Sequence, residues 1–198
     1  MKEIKSSTLY KGVFLDRDGV INEENGHVKS LEDFNLIVGA GSAIKKLNSL
    51  GVKVAVLTNQ SGIARGYITE NELFEIHQYM RAGLLAEGGK VDFIAYSPWL
   101  NQPKLIGGVT RYLKDHQDRK PNPGMINRAC EHFKLCKDEV CYIGDTKRDM
   151  QAAQAAGVDF YPIKSRKAHE FNSDLTIHNS LFDWMQWACE NKLLKSKS

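Results

Sequence analysis

Short β-branched runs alternate with amphipathic stretches along most of this chain, and nearly every run ends on a polar cluster. Gly12–Leu15, Val52–Leu57, Val91–Tyr96, Val140–Ile143 and Phe160–Ile163 read as strands. Val52–Leu57 is apolar except for Lys53 and rich in β-branched residues, as is typical of a strand buried on both faces. Between them, Ala43–Leu50 carries Ile44, Leu47 and Leu50 on one helical face and stops at Gly51. Thr69 with Glu72 has the form of a capping box opening a helix through about Leu85, which Gly88-Gly89 ends. Gly124–Lys134 and Arg148–Ala156 are helical in pattern, the second stopped by Gly157, and Leu181–Lys192 closes the series with Trp184 and Trp187. Strands alternating with helices imply βαβ units, hence an α/β, doubly wound, mostly parallel Rossmann-like sheet. In such a sheet ligands bind beyond the carboxyl ends of the strands, where these polar clusters lie.

The 198 residues suit a single domain. Its core is expected over about 10–163, with a closing strand or helix and a frayed tail over about 164–198. Hydrophobic content of 42%, charged content of 26% and a net charge of +3 describe an ordinary globular chain. A nucleic-acid binder would carry a strong basic stripe; the one basic cluster, Lys164 to Lys167, is short. No apolar run approaches the roughly 20 residues that span a bilayer. The N-terminal segment lacks the apolar centre of a signal peptide, which points to the cytoplasm. Cys130, Cys136, Cys141 and Cys189 form no C-x-x-C pair and read as free thiols. A monomer without membrane or nucleic-acid partners is the expected state.

Four clusters carry the candidate chemistry. In Asp16-Arg17-Asp18-Gly19, one carboxylate can attack while the other exchanges a proton, provided Gly19 lets the chain turn; a solvated acidic turn would use the same residues. Thr58-Asn59-Gln60-Ser61-Gly62 offers hydroxyl, amide and backbone donors suited to phosphate oxygens, or merely a turn and helix cap. Arg119-Lys120-Pro121-Asn122-Pro123 sets a lysine ahead of a helix, as a fixed charge or as an exposed basic turn. Gly144-Asp145-Thr146-Lys147-Arg148-Asp149 puts Asp145 at a strand end, a plausible hard-cation ligand, while Asp149 suits a helix start. Together they supply a nucleophile, an acid/base, a metal site and fixed positive donors, the inventory for moving a phosphoryl group.

The order Asp16-x-Asp18-Gly19, Thr58, Lys120 and Gly144-Asp145-x-x-x-Asp149 resembles the haloacid dehalogenase superfamily of aspartyl-phosphate enzymes. The longer strings Phe14–Asn22, Thr58–Gly66, Arg119–Met125 and Gly144–Ala153 are similar to the D-glycero-D-manno-heptose 1,7-bisphosphate 7-phosphatases, with the histidinol-phosphate phosphatases as close relatives. The resemblance implies that Asp16 attacks phosphorus, that Asp18 protonates the leaving alcohol and later activates water, and that magnesium is held by Asp16, the Asp18 main-chain carbonyl and Asp145. It implies that Thr58 and Asn59 bind the phosphoryl group, that Lys120 neutralises it, that Arg119 reads the substrate, and that Asp149 supports Lys120 or the metal's surroundings. Arg65 lies in a matching string with a weaker claim to the site.

One departure matters. The family often carries a zinc-bound loop, and its ligand positions here are Ser97, Trp99, His116 and Asp118, which cannot close a tetrahedral site. No structural zinc is therefore expected, and packing of Trp99 and Tyr112 is expected to order the loop instead. About 40 residues separate Asp18 from Thr58 and about 60 separate Thr58 from Lys120, which leaves no room for a large cap domain. The expected substrate is a small phosphorylated sugar. Histidinol phosphate, a polynucleotide 3′-phosphate, and simple phosphosugar binding on a disabled scaffold are the competing readings.

Overall fold

All five expected strands form in the computed structural model, which describes residues 9–24, 26–165, 171 and 175–194. They are β1 (Gly12–Leu15), β2 (Lys53–Asn59), β3 (Phe93–Ser97), β4 (Val140–Gly144) and β5 (Asp159–Pro162). They pair parallel in the order β3-β2-β1-β4-β5. The helices are α1 (Ala40–Ser49), α2 (Glu70–Ala86), α3 (Gly124–Phe133), α4 (Lys147–Ala156) and α5 (Leu181–Glu190). The Thr69–Glu72 capping box is present at α2, and Gly157 closes α4 in the left-handed conformation.

Alternation along the strands divides the core. Val13 and Leu15 of β1, Val54 and Val56 of β2, and Cys141 and Ile143 of β4 face a layer built from α1, α2 and α5. Phe14, Ala55, Leu57 and Tyr142 face α3 and α4. Each central strand is thus sealed on both sides, and only its carboxyl end can carry polar side chains to solvent.

The differences from expectation are local. Helix α1 starts three residues before Ala43, behind Gly39 at φ 84°. Strand β2 runs on through Thr58 and Asn59, because both keep the parallel register with Tyr96 and Ser97. The expectation of a frayed tail within 164–198 does not hold at Leu193 and Leu194: both are buried, and Tyr10 N–H donates to Leu193 O at 2.7 Å. Residues 195–198 lie outside the described residues, as do Arg166 and Lys167 of the basic cluster.

Candidate active site

The strand order reverses at β1 and β4, so the loops leaving these neighbours diverge and open a crevice between them. Asp16 leaves β1 with its N–H donating to Ile143 O of β4 at 2.8 Å. Asp145 follows β4 directly. Gly19 has φ 83°, and a Cβ there would fall 2.2 Å from Asp145 Oδ2; only glycine lets the two loops approach this closely. A Cβ on Gly144 would similarly fall 2.4 Å from that of Asp149.

Lys120 is the hub of the floor. It is buried, and its Nζ lies 2.8 Å from Asp16 Oδ1 and 2.6 Å from Asp149 Oδ1. Nζ also donates to Leu57 O at 3.1 Å and to Tyr142 Oη at 2.9 Å. Burial alone would lower the lysine pKa, but Asp149 and Asp16 more than offset it, and the ammonium is held above its ordinary range. Asp149 is fully committed: Oδ1 to Lys120, Oδ2 to the N–H and hydroxyl of Thr146 at 3.0 and 2.5 Å.

Oxygens of Asp16, Asp145 and Asp149 lie within 4.8 Å of one another. Burial, together with Asp149, Asp145 and Asp18, pushes the Asp16 carboxyl well up against the opposing pull of Lys120. Burial and Asp149 push Asp145 to about 6. Asp145 Oδ2 is buried and makes no hydrogen bond to any described residue. Crowded carboxylates with an orphaned oxygen are what a hard divalent cation satisfies, so the residues fit magnesium. Asp16 and Asp145 are the side chains free to hold it, since both oxygens of Asp149 are already occupied.

Asp18 sits in a separate network. Arg17, 1% exposed, grips it with Nη2 at 2.8 and 3.1 Å and Nε at 3.1 Å. Asn22 Nδ2 and Gln60 Nε2 each donate to it at 3.0 Å. Burial would raise Asp18, but Arg17 and these donors outweigh it and hold the carboxyl below its ordinary range. The same Gln60 amide donates to Thr58 Oγ1 at 2.8 Å, tying the hydroxyl to the second carboxylate. His77 Nε2 lies 3.4 Å from Arg17 Nη1, and burial beside that cation holds the imidazole neutral, with its pKa at about 3.

Asp16, Asp18, Thr58, Asn59, Lys120 and Asp145 line a cleft of about 460 Å³ that also meets Glu24, His27, Ser61, Arg65, Arg119, Thr146 and Arg148. Asp16, Asp18, Thr58, Asn59, Arg119, Lys120 and Asp145, the residues expected from sequence, therefore share one cavity. Asn59 also holds Lys120. Its amide accepts from Lys120 N–H at 3.1 Å and donates to Lys120 O at 3.0 Å, clamping the lysine backbone. Burial, then Arg148 and Arg65, lower the Arg119 pKa, as clustered guanidinium groups require.

Three of the four loop positions have other partners. Ser97 is buried at the end of β3. Trp99 stacks on His116, Asp118 pairs with Arg128 at 2.5 Å, and His116 Nδ1 accepts from Asp118 N–H at 3.1 Å. These residues do not fit a zinc site.

Sequence reasoning missed Arg17, Asn22, Gln60, His77 and Arg148. Arg17, Asn22 and Gln60 stood inside the quoted strings, and an arginine between two aspartates was a signal that one would be paired. His77 on α2 looked like an ordinary helix residue, and nothing in its neighbours pointed to the site.

The parallel sheet and its switch-point carboxylates define a class, the haloacid dehalogenase-like hydrolases, and the family model of that description matches residues 109–163. Within it, the chain is 37% identical over 148 residues to D-glycero-alpha-D-manno-heptose-1,7-bisphosphate 7-phosphatase of Burkholderia mallei, covering 75% of this chain and 76% of that one. It is 39% identical over 158 residues to the beta-heptose enzyme of Pseudomonas putida, covering 79% and 84%. The crystal structure of D,D-heptose 1,7-bisphosphate phosphatase from B. bronchiseptica, complexed with magnesium and phosphate, superimposes with a TM-score of 0.79 at 28% identity, over 91% of this chain and 98% of that one. The chain belongs to this heptose-bisphosphate phosphatase family and is a phosphatase.

Proposed function

We propose that the enzyme removes the 7-phosphate of a D-glycero-D-manno-heptose 1,7-bisphosphate, with Asp16 as nucleophile. The observation that carries the reading is the placing of Asp16 between Lys120 and Asp145, with Asp18 anchored separately across the same cleft.

In the first half-reaction an Asp16 oxygen attacks phosphorus. The bond from phosphorus to the sugar oxygen breaks, and Asp18, in its protonated form, gives the leaving oxygen a proton. In the second, Asp18 takes a proton from water, the water oxygen attacks phosphorus, and the Asp16–phosphate bond breaks to release inorganic phosphate. Thr58 and Lys120 meet the phosphoryl oxygens. Asn59 keeps Lys120 in register, and Asp149 and Tyr142 fix its ammonium. Magnesium, held by Asp16, Asp145 and the Asp18 main-chain carbonyl, would supply positive charge against the negative charge on the transferring phosphoryl group. The resting arrangement favours ionised Asp18, so the arriving phosphate dianion must raise its pKa or draw it from the Arg17 fork.

The substrate reading rests on the rim. Arg65, Arg119 and Arg148 line one cavity, and none has a carboxylate partner among the described residues. Unpaired guanidinium groups brought together repel, and an additional anionic group on the substrate relieves that repulsion. A sugar bisphosphate supplies it; a simple monoester does not.

The test compares kcat/KM with magnesium on heptose 1,7-bisphosphate, histidinol phosphate and a 3′-phosphorylated oligonucleotide. The bisphosphate is expected to lead by at least tenfold, with the phosphate lost from carbon 7. A higher value for either other substrate would overturn the assignment. Bisphosphate binding without phosphate release would leave a binding protein.

A further inference from the structure

The connection from β3 to α3, residues 98–123, carries Arg119 yet contains only one short 3-10 turn, Thr110–Tyr112. Stacked rings help to hold it. Trp99 and His116 stack with centroids 4.4 Å apart and planes 10° apart. The Tyr112 ring meets Trp99 edge-on at 5.3 Å, and Lys114 Nζ lies 4.9 Å from the Trp99 ring centroid. Two main-chain contacts turn this stack into a gauge for the cleft. Arg119 Nη1 donates to Trp99 O at 2.6 Å, and Arg119 N–H donates to His116 O at 3.0 Å. The two residues whose rings stack are therefore the two whose carbonyls hold Arg119 at its head and at its root. The far side is fixed as well: Leu100 N–H donates to Tyr112 O, Tyr112 Oη donates to Glu70 Oε1 of α2 at 2.8 Å, and Tyr112 packs with Leu100, Leu113 and Ile63.

We propose that Trp99 and His116 are positioning residues for substrate, their stacked rings setting Arg119 in the cleft and ordering this loop without a metal ion. A stacked pair contributes stability beyond the area it buries, and the guanidinium it steers has a planar fork whose use depends on aim. Residues 97–118 do the work of a bound ion with side chains that make no call on one. The proposal builds on the bisphosphate reading, because Arg119 is taken to meet the anion remote from the reacting phosphate.

The test measures steady-state kinetics on heptose 1,7-bisphosphate and on p-nitrophenyl phosphate, which lacks a second anion, together with amide hydrogen exchange. Trp99→Ala and His116→Ala are expected to raise KM for the bisphosphate about tenfold with kcat within twofold, and to raise KM for p-nitrophenyl phosphate by less. Trp99→Phe, which keeps a ring over His116, should restore most of the loss. Exchange in peptides spanning 112–119 should quicken at least tenfold in both alanine variants, with β1 and β4 peptides unchanged. Treating the parent with a zinc-selective chelator in excess magnesium should leave KM unchanged. A fall in kcat equal to the loss in kcat/KM, unaltered exchange at 112–119, or stoichiometric zinc whose removal raises the parent KM would each overturn the proposal. If the parent has no preference for the bisphosphate, the substrate reading fails instead, and the exchange and zinc measurements still decide the role of the stack.

Discussion

The ammonium of Lys120 and the carboxylate of Asp149 meet 2.6 Å apart in the interior, with Asp149 wholly buried and the lysine side chain 4% exposed. Breaking such a pair from one side leaves the other charge stranded. In Asp149→Asn the amide can still accept from Thr146, but then presents its NH2 to Lys120. A stability loss of about 3 kcal/mol is expected, read by urea unfolding, with kcat falling at least tenfold. An unchanged unfolding midpoint would mean the pair is not the hub described here.

Asp16→Asn should reduce kcat by about a thousandfold or more, as removal of a covalent nucleophile does. Its effect on stability should run the other way from that of Asp149→Asn. A carboxyl whose pKa is raised in the folded state destabilises the fold at pH above its unfolded value. A neutral isostere relieves that cost, so the metal-free variant should melt no lower than the parent at pH 7. Turnover at the parent rate would remove Asp16 from its role.

Magnesium should raise the melting temperature of the parent by stabilising only the folded site. At a hundred times its dissociation constant the gain is about 2.7 kcal/mol, which for a chain of this length is roughly 5–10 °C. Asp145→Asn should abolish most of the shift, whereas loss of Asp149 should not, since its oxygens are already occupied. Chelation should abolish turnover in the parent.

Acid sensitivity should trace in part to His77. Its pKa is lowered to about 3 in the folded state and lies near 6.5 when unfolded. Between these values the unfolded chain takes up a proton that the folded chain refuses, so stability is full above pH 6.5 and is lost as pH falls toward 3. Over the two units below 6.5 the loss is up to about 3 kcal/mol. His77→Gln, which can still accept from Arg17, should flatten this part of the stability profile relative to the parent. Parallel profiles would assign the acid sensitivity elsewhere.

Much of this arrangement was legible in sequence because the signals were local. The short apolar runs gave β1 and β4, the Thr69–Glu72 spacing gave the start of α2, Asp16, Thr58 and Asp145 followed such runs, and Lys120 stood just ahead of a helix. What escaped depended on contacts between distant segments. His77 lies 60 residues from the arginine it faces. The clamp of Asn59 on Lys120 spans 61 residues. Leu193 and Leu194 sat among lysines and read as tail, yet Tyr10 gives them a partner nearly the whole chain away.

The backbone hydrogen bond from Asp16 to Ile143, at the centre of a sheet covered on both faces, has a consequence for how this enzyme can change. Asp16, the proposed nucleophile, is tied into the centre of the sheet, whereas Arg119 sits on a loop held by stacked rings and local hydrogen bonds. Heredity can therefore rework the loop, and with it the choice of substrate, while the bond-breaking apparatus stays untouched.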